Sequence, residues 1–294
     1  VYKRQGKIEM LELLKAIVFG IVEGITEWLP ISSTGHMILL NEFLTLDVSK
    51  EFWDMFLIVI QLGAILAVVV LFWNAIWPFC IRKAGTEESL WSVGSLGIKK
   101  DIIINWLKIV VSCLPAVIFV VLGLDDVCDK LFYNPVCVAI ALIVFGIAFI
   151  LVENRNRSLT VKAETMLEIT WKMAALIGIF QLIAAAFPGT SRSGATIIGA
   201  LLIGVSRRAA SEYTFILAIP VMFGASLLKL KDFGFHLTGT EWMVLAGGMI
   251  SAFLVSIVVI RFLLGYIRKH DFKVFGWYRI VLGIVVLAYF GLVR

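Results

Sequence analysis

Apolar stretches of membrane-spanning length alternate with short polar ones along this chain, and two of them are broken in an unusual way. Residues 11 to 29 read as an apolar helix, yet Glu23 and Glu27 fall inside it, one turn apart on one face. Pro30 predicts the end of that helix, because its ring clashes with the carbonyl four residues back and it has no N–H. Ser32, Ser33, Thr34, Gly35 and His36 follow. The apolar piece over 36 to 46 then covers only about half a bilayer. Helix, proline-broken loop and short helix together predict a re-entrant hairpin whose irregular backbone is buried in protein. Three candidate spans come next, over Phe52–Trp77, Asp101–Gly123 and Pro135–Val152, and a polar stretch runs from Glu153 to Glu168.

The same order then recurs. Residues 169 to 187 form a second apolar helix, again ended by a proline, and the run Pro188-Gly189-Thr190-Ser191-Arg192-Ser193-Gly194 follows. A short apolar piece, Ala195–Gly204, leads to three more spans over Tyr213–Leu230, Trp242–Leu264 and Trp277–Val293. Sliding the chain by 158 positions brings Gly20 onto Gly178, Glu23 onto Gln181, Pro30 onto Pro188 and Ser33 onto Ser191. The pattern predicts an all-α polytopic membrane protein forming one domain over residues 1–294. Its repeats cover about 10–152 and about 169–294. Each half crosses an odd number of times, so the repeats are expected to be inverted, with the broken segments meeting near the midplane and marking the site. Residues 1–9 are polar and precede Met10, which looks like a natural start, and they are read as an upstream, non-native extension.

Composition agrees with the membrane reading. Of 294 residues 61% are hydrophobic and 16% charged, and the mean hydropathy is +0.98, far from a soluble globular chain. A net charge of +5 would suggest nucleic acid in a soluble protein. Here the basic residues sit between apolar spans, as in cytoplasmic loops, and nucleic acid is excluded. With the N-terminus outside, inner loops carry about fifteen Lys and Arg, among them Arg82, Lys83, Lys99, Lys100, Arg207 and Arg208, and outer loops about five. The acidic Asp125–Asp129 loop then faces outward, and Arg207-Arg208 reads as a topology signal. Cys80, Cys113, Cys128 and Cys137 have neither metal nor C-x-x-C spacing and read as small buried residues.

The chemistry concentrates at the two breaks. Glu23 and Glu27 can hold a hard divalent cation, Mg2+ or Ca2+, or act as a base. Ser33 beside a glycine offers a nucleophile, while Ser32, Thr34, Thr190, Ser191 and Ser193 offer donors to substrate. Arg192 carries a planar fork matched to phosphate oxygens, at a helix start whose N–H groups add to the pull. Carboxylates on one hairpin and an anion clamp on the other describe a site for a metal-bound phosphate at membrane depth.

The runs E-G-I-T-E-W-L-P-I-S-S-T-G-H (Glu23–His36) and P-G-T-S-R-S-G-A-T (Pro188–Thr196) closely resemble the two signatures of the undecaprenyl-diphosphate phosphatase, or bacitracin-resistance, family. The resemblance spans the chain from Met10, with a mild departure over Leu182–Phe187. It implies removal of the terminal phosphate from undecaprenyl diphosphate, recycling the carrier lipid for peptidoglycan synthesis. It also implies a divalent cation and a multi-pass protein of the bacterial plasma membrane whose site opens outward. By motif match Glu23 and Glu27 take the carboxylate roles, Ser33 and His36 the loop roles, and Arg192 the phosphate-binding role. The partners are then the polyprenyl diphosphate and the bilayer, and a homodimer is compatible with this reading.

Two other readings compete. In an acid-phosphatase-like lipid phosphatase, Ser191-Arg192 would be followed by a histidine nucleophile, but the chain continues Ser193, Gly194, Ala195, Thr196, Ile197, Ile198. A transporter or flippase for a lipid phosphate suits inverted repeats, yet Glu23, Glu27 and Ser33 exceed what binding requires, since carboxylates repel phosphate unless a metal intervenes. Three nucleophiles remain: Ser33, His36 and a metal-activated water. Ser33 is preferred, with Glu27 or Glu23 as base, because His36 has no obvious orienting partner for its second nitrogen in its own segment.

Overall fold

The computed structural model describes residues 2–81, 90–93, 96–234 and 236–292. Arg82 and Lys83, counted above among the inner basic residues, lie outside the described residues, as does Val293 at the end of the last expected span. Twelve α-helices carry the described chain: α1 (Tyr2–Thr26), α2 (Ser33–Phe43), α3 (Lys50–Leu71), α4 (Trp73–Ile76), α5 (Lys100–Val121), α6 (Leu124–Phe132), α7 (Pro135–Asn156), α8 (Trp171–Ala186), α9 (Arg192–Leu202), α10 (Arg207–Phe233), α11 (Gly239–Tyr266) and α12 (Lys273–Leu292). Six of them, α3, α5, α7, α10, α11 and α12, are long and apolar enough to cross a membrane. Three fall in each half.

Three expectations are corrected. The span expected over Phe52–Trp77 is not one helix: α3 ends at Leu71, and the single turn α4 follows a non-helical Phe72. The stretch after it folds into a small antiparallel sheet of β1 (Phe79–Ile81), β2 (Leu90–Val93) and β3 (Leu96–Lys99), with β3 in the middle. The Asp125–Asp129 loop is helical, because Asp125 and Asp126 sit in the first turn of α6 and complement its dipole. The cysteines are free and half-buried rather than fully buried.

Packing follows an exchange of the two halves. α1 lies against α11 while α8 lies against α5, and α3 pairs with α10 and α7 with α12. Lipid offers no hydrophobic drive between helices, so close backbone approach over small residues has to supply the attraction. A Cβ on Gly20 of α1 would strike the Ser251 hydroxyl and Gly248 carbonyl of α11, and one on Gly178 of α8 would come within 2.5 Å of the Ser112 carbonyl of α5. The α7–α12 seam is closed in the same way, Gly146 against the Gly276 carbonyl and Gly276 against that of Gly146, each 2.7 Å from where a Cβ would sit. Gly247-Gly248 thus serves helix packing, as its sequence setting suggests.

Arg207 is more than a charge at a helix start. Its guanidinium Nε donates to both oxygens of Glu153, at 2.9 and 3.1 Å, and Glu153 is fully buried at the end of α7. Glu153 also accepts from the Phe272 N–H at 3.0 Å, tying α7, α10 and the approach to α12 at one end of the bundle. The charge is buried but fully hydrogen-bonded, which is what burial of a carboxylate requires.

Candidate active site

Each broken segment delivers a short helix whose cap has the same backbone. Ser32 (φ 72°, ψ 100°) precedes α2 and accepts from the Gly35 N–H; Ser191 (φ 71°, ψ 122°) precedes α9 and accepts from the Gly194 N–H. Among the described non-glycine residues these alone have positive φ. That region costs an L-residue of order 1–3 kcal/mol and persists where the surroundings over-determine it. The shared cap corrects the register of the repeat. Before the breaks the offset is 158, but Ser191 matches Ser32, not Ser33, because the second loop carries one residue more. Ser33 and Arg192 therefore occupy the same place, the first residue of each short helix.

Those two residues meet on one carboxylate. Glu27, just after the α1 helix, is buried; its Oε2 accepts from the Ser33 hydroxyl at 2.8 Å and its Oε1 from Arg192 Nη2 at 3.0 Å. Arg192 Nη1 donates to the Thr214 carbonyl at 3.2 Å. The Ser193 hydroxyl donates to the Glu27 carbonyl at 3.1 Å and so accepts from Ser191 Oγ, also at 3.1 Å. Of the residues singled out in the sequence, Glu27, Ser33, Arg192, Ser191 and Ser193 thus form one connected cluster. Thr34 is half-buried, and no side-chain hydrogen bond joins it to this cluster among the described residues.

Several polar atoms on the two broken segments are buried without a partner among the described residues, among them Glu23 Oε1, Thr190 Oγ1, Arg192 Nε and the Trp28 indole N–H. Buried polar groups are nearly always satisfied; the free oxygen of Glu23, one turn from Glu27, and the free Nε of Arg192, which is bonded to Glu27, fit a ligand bearing both cation and anion. Glu23 is almost fully buried one turn from Glu27, which suits a hard cation taking one or two carboxylates and completing its shell from substrate oxygens. No cluster of three His, Cys, Asp or Glu exists among the described residues.

His36 is better held than its sequence context suggests. Its Nδ1 lies 2.7 Å from the Ser32 carbonyl, a partner within its own segment, and its Nε2 lies 2.7 Å from the Tyr278 hydroxyl. The expectation that it lacks an orienting partner is therefore wrong: the Ser32 carbonyl, four residues back at the helix cap, faces the ring.

Sequence reasoning also missed Arg279. It is fully buried in α12 and donates to the Pro30 carbonyl at 3.2 Å, the Gly189 carbonyl at 3.0 Å and the Thr190 carbonyl at 2.6 Å. One guanidinium thus holds the carbonyls of both loops, and the Phe145 ring covers it 5.7 Å away. A signal was present: a lone charged residue within an apolar span marks a functional position by default.

The chain is similar to known proteins over nearly its whole length. Residues 16–285 match the model of the family described as bacitracin resistance protein BacA. The chain is 59% identical over 286 residues to undecaprenyl-diphosphatase 1 of Clostridium acetobutylicum, covering 97% of this chain and all of that protein. It is 57% identical over 282 residues to the undecaprenyl-diphosphatase of Desulfitobacterium hafniense, covering 96% and 97% of the two chains. With an undecaprenyl-diphosphatase of Enterococcus faecalis the identity is 55% over 280 residues, covering 95% and 98%. With the family model covering most of the chain and both signature loops meeting at Glu27, this chain belongs to the BacA bacitracin resistance protein family.

Proposed function

We propose that this site hydrolyses undecaprenyl diphosphate to undecaprenyl phosphate and inorganic phosphate, a hydrolase reaction on a phosphoric anhydride that returns the carrier lipid to peptidoglycan synthesis and confers bacitracin resistance. The observation that carries it is the bridging of Glu27 between the Ser33 hydroxyl and the Arg192 guanidinium. A lipid-phosphate binder needs the cation but has no use for a serine paired with a carboxylate, so this arrangement favours hydrolysis over transport.

Ser33 Oγ attacks the terminal phosphorus while its proton passes to Glu27 Oε2, its hydrogen-bond acceptor. The bond from that phosphorus to the bridging oxygen breaks, and the prenyl monophosphate leaves with the electron pair. Water then attacks the phosphoserine; the bond from phosphorus to the Ser33 oxygen breaks, Glu27 returns its proton to that oxygen, and the phosphate leaves carrying the protons of the water. Arg192 turns its fork from Glu27 toward the phosphoryl oxygens, where a preorganised guanidinium stabilises developing charge. The Ser193 and Ser191 hydroxyls are spent ordering the second loop against Glu27, which leaves Thr190, Ser32 and Thr34 as the donors proposed toward substrate. Glu23 and Glu27 would hold the divalent cation, Mg2+ or Ca2+, which would neutralise phosphate charge and let two carboxylates face a polyanion. His36 orders the first loop.

The topology that suits this reading is an inverted repeat in the bacterial plasma membrane, both termini and α6 outside and the site opening on the extracytoplasmic side. The native thiols test it: an impermeant thiol reagent on intact cells should label Cys128 and spare Cys80, and labelling of Cys80 alone reverses the orientation. The activity is tested by phosphate release from a prenyl diphosphate by purified protein. Release should stop with chelator and return with added Mg2+ or Ca2+; absence of release in every metal condition overturns the reading.

A further inference from the structure

Tyr278, beside Arg279 on α12, is assigned no role by the motifs. Its hydroxyl lies 2.7 Å from His36 Nε2, and the two rings stack with centroids 5.6 Å apart and planes 4° from parallel. The other nitrogen, Nδ1, is 2.7 Å from the Ser32 carbonyl. A carbonyl only accepts, so Nδ1 carries the hydrogen; Nε2 then presents its lone pair and the tyrosine hydroxyl donates to it. The chain of bonds runs in one direction, from the Tyr278 hydroxyl through the imidazole to the Ser32 carbonyl.

That carbonyl belongs to the strained cap. Ser32 has positive φ without being glycine, and the next residue is Ser33, whose hydroxyl sits on Glu27. A backbone in this region needs external constraint, and two constraints on the peptide groups around Ser32 come from α12: Arg279 on the Pro30 carbonyl and Tyr278 acting through His36. The arginine alone cannot set the direction of the Ser32 carbonyl, which lies two residues further along. Hydrogen-bond chains in a low-dielectric interior polarise and stiffen one another.

We propose that Tyr278 is a positioning residue for the phosphatase reaction, acting through His36 on the Ser32 carbonyl to hold the Ser33 hydroxyl on Glu27. The inference rests on the reading of Ser33 as the nucleophile. It makes the second half of the chain responsible for the geometry of the first half's reactive serine. Tyr278→Phe keeps the stacked ring and removes one hydrogen bond.

Tyr278→Phe should lower kcat about tenfold, the effect of losing a hydrogen bond that orders a reacting group, and leave KM within about twofold. Because Tyr278 acts through His36, the double variant Tyr278→Phe/His36→Ala should be no slower than His36→Ala alone. Wild-type kcat in Tyr278→Phe, or independent multiplication of the two losses, overturns the proposal. Should Tyr278→Phe melt well below the wild type, 3-fluorotyrosine at position 278 supplies the same shape with a stronger donor. It should change kcat without changing the melting temperature, and an unchanged kcat overturns the proposal. Ser33→Ala in the same assay separates the two ideas: turnover in that variant removes the serine mechanism, whereas coupling between Tyr278 and His36 is read from the double-variant cycle either way.

Discussion

The two broken segments have nearly the same backbone and opposite chemistry. Both follow an apolar helix ended near a proline, both begin a short helix behind a serine with positive φ, and both place a glycine three residues after that serine. Yet Glu23 and Glu27 in the first correspond to Gln181 and Ala185 in the second, and Ser33 corresponds to Arg192. One scaffold thus carries carboxylates and a hydroxyl, and the other a cation, and the fold presses them together at Glu27. A repeat with identical halves would have set four carboxylates or two arginines against each other at membrane depth, where like charges without partners are costly. Divergence of side chains on a preserved backbone resolves the conflict and creates the site.

The largest effect comes from removing the first segment's hydroxyl. Ser33→Ala should drop phosphate release on the order of a thousandfold or more, the scale seen when a nucleophile is lost, with binding of the prenyl diphosphate retained. Substantial turnover would move the reaction off this serine, and a phosphate trapped on His36 would move the nucleophile three residues along the same segment. On the second segment, Arg192→Lys keeps the charge and loses the planar fork. It should cost about 2 kcal/mol or more in transition-state stabilisation, read as kcat/KM, and near-normal kinetics would place the phosphate elsewhere.

Arg279→Met probes what holds the two segments to one another. Three carbonyls from both loops lose their donor, and buried unsatisfied acceptors cost about 1–3 kcal/mol each where water cannot enter. The melting temperature in detergent should fall together with activity, while an unaltered melt means that water or a neighbour replaces the guanidinium. The smallest effect is expected far from the breaks, in the loop before α8. There Glu168 accepts from the Glu164 N–H at 2.7 Å and from the Thr165 hydroxyl at 3.0 Å, and these bonds, the backbone one first, hold its carboxyl below the usual range. A lowered folded-state pKa contributes stability that is present at neutral pH and lost as pH falls through that pKa. Glu168→Gln should therefore melt slightly below the wild type at about pH 7, and the deficit should shrink as pH falls through the lowered folded-state pKa. A deficit that persists in acid would contradict the charge argument.

Much of this was written in the chain. Six spans, two proline breaks, the i, i+4 carboxylates, the hydroxyls and Arg192 are all local features, fixed by hydrophobic period and by the few residues that punctuate it. The near-repeat was legible too, although its register after the breaks was not, since one inserted residue in a loop leaves no periodic trace. Other features depended on direction in space. That Ser33 and Arg192 share Glu27 follows from a contact across 165 residues, and that Arg279 ties Pro30 follows from one across 249. In the sequence Glu153 only opens a polar stretch and Arg207 is a topology signal; packing buries the carboxylate and pairs the two. Residue type and spacing determine which face of a helix carries a group. Which partner that face meets is decided when small residues such as Gly20, Gly146 and Gly178 let backbones approach and fix the rotation of each helix against its neighbour.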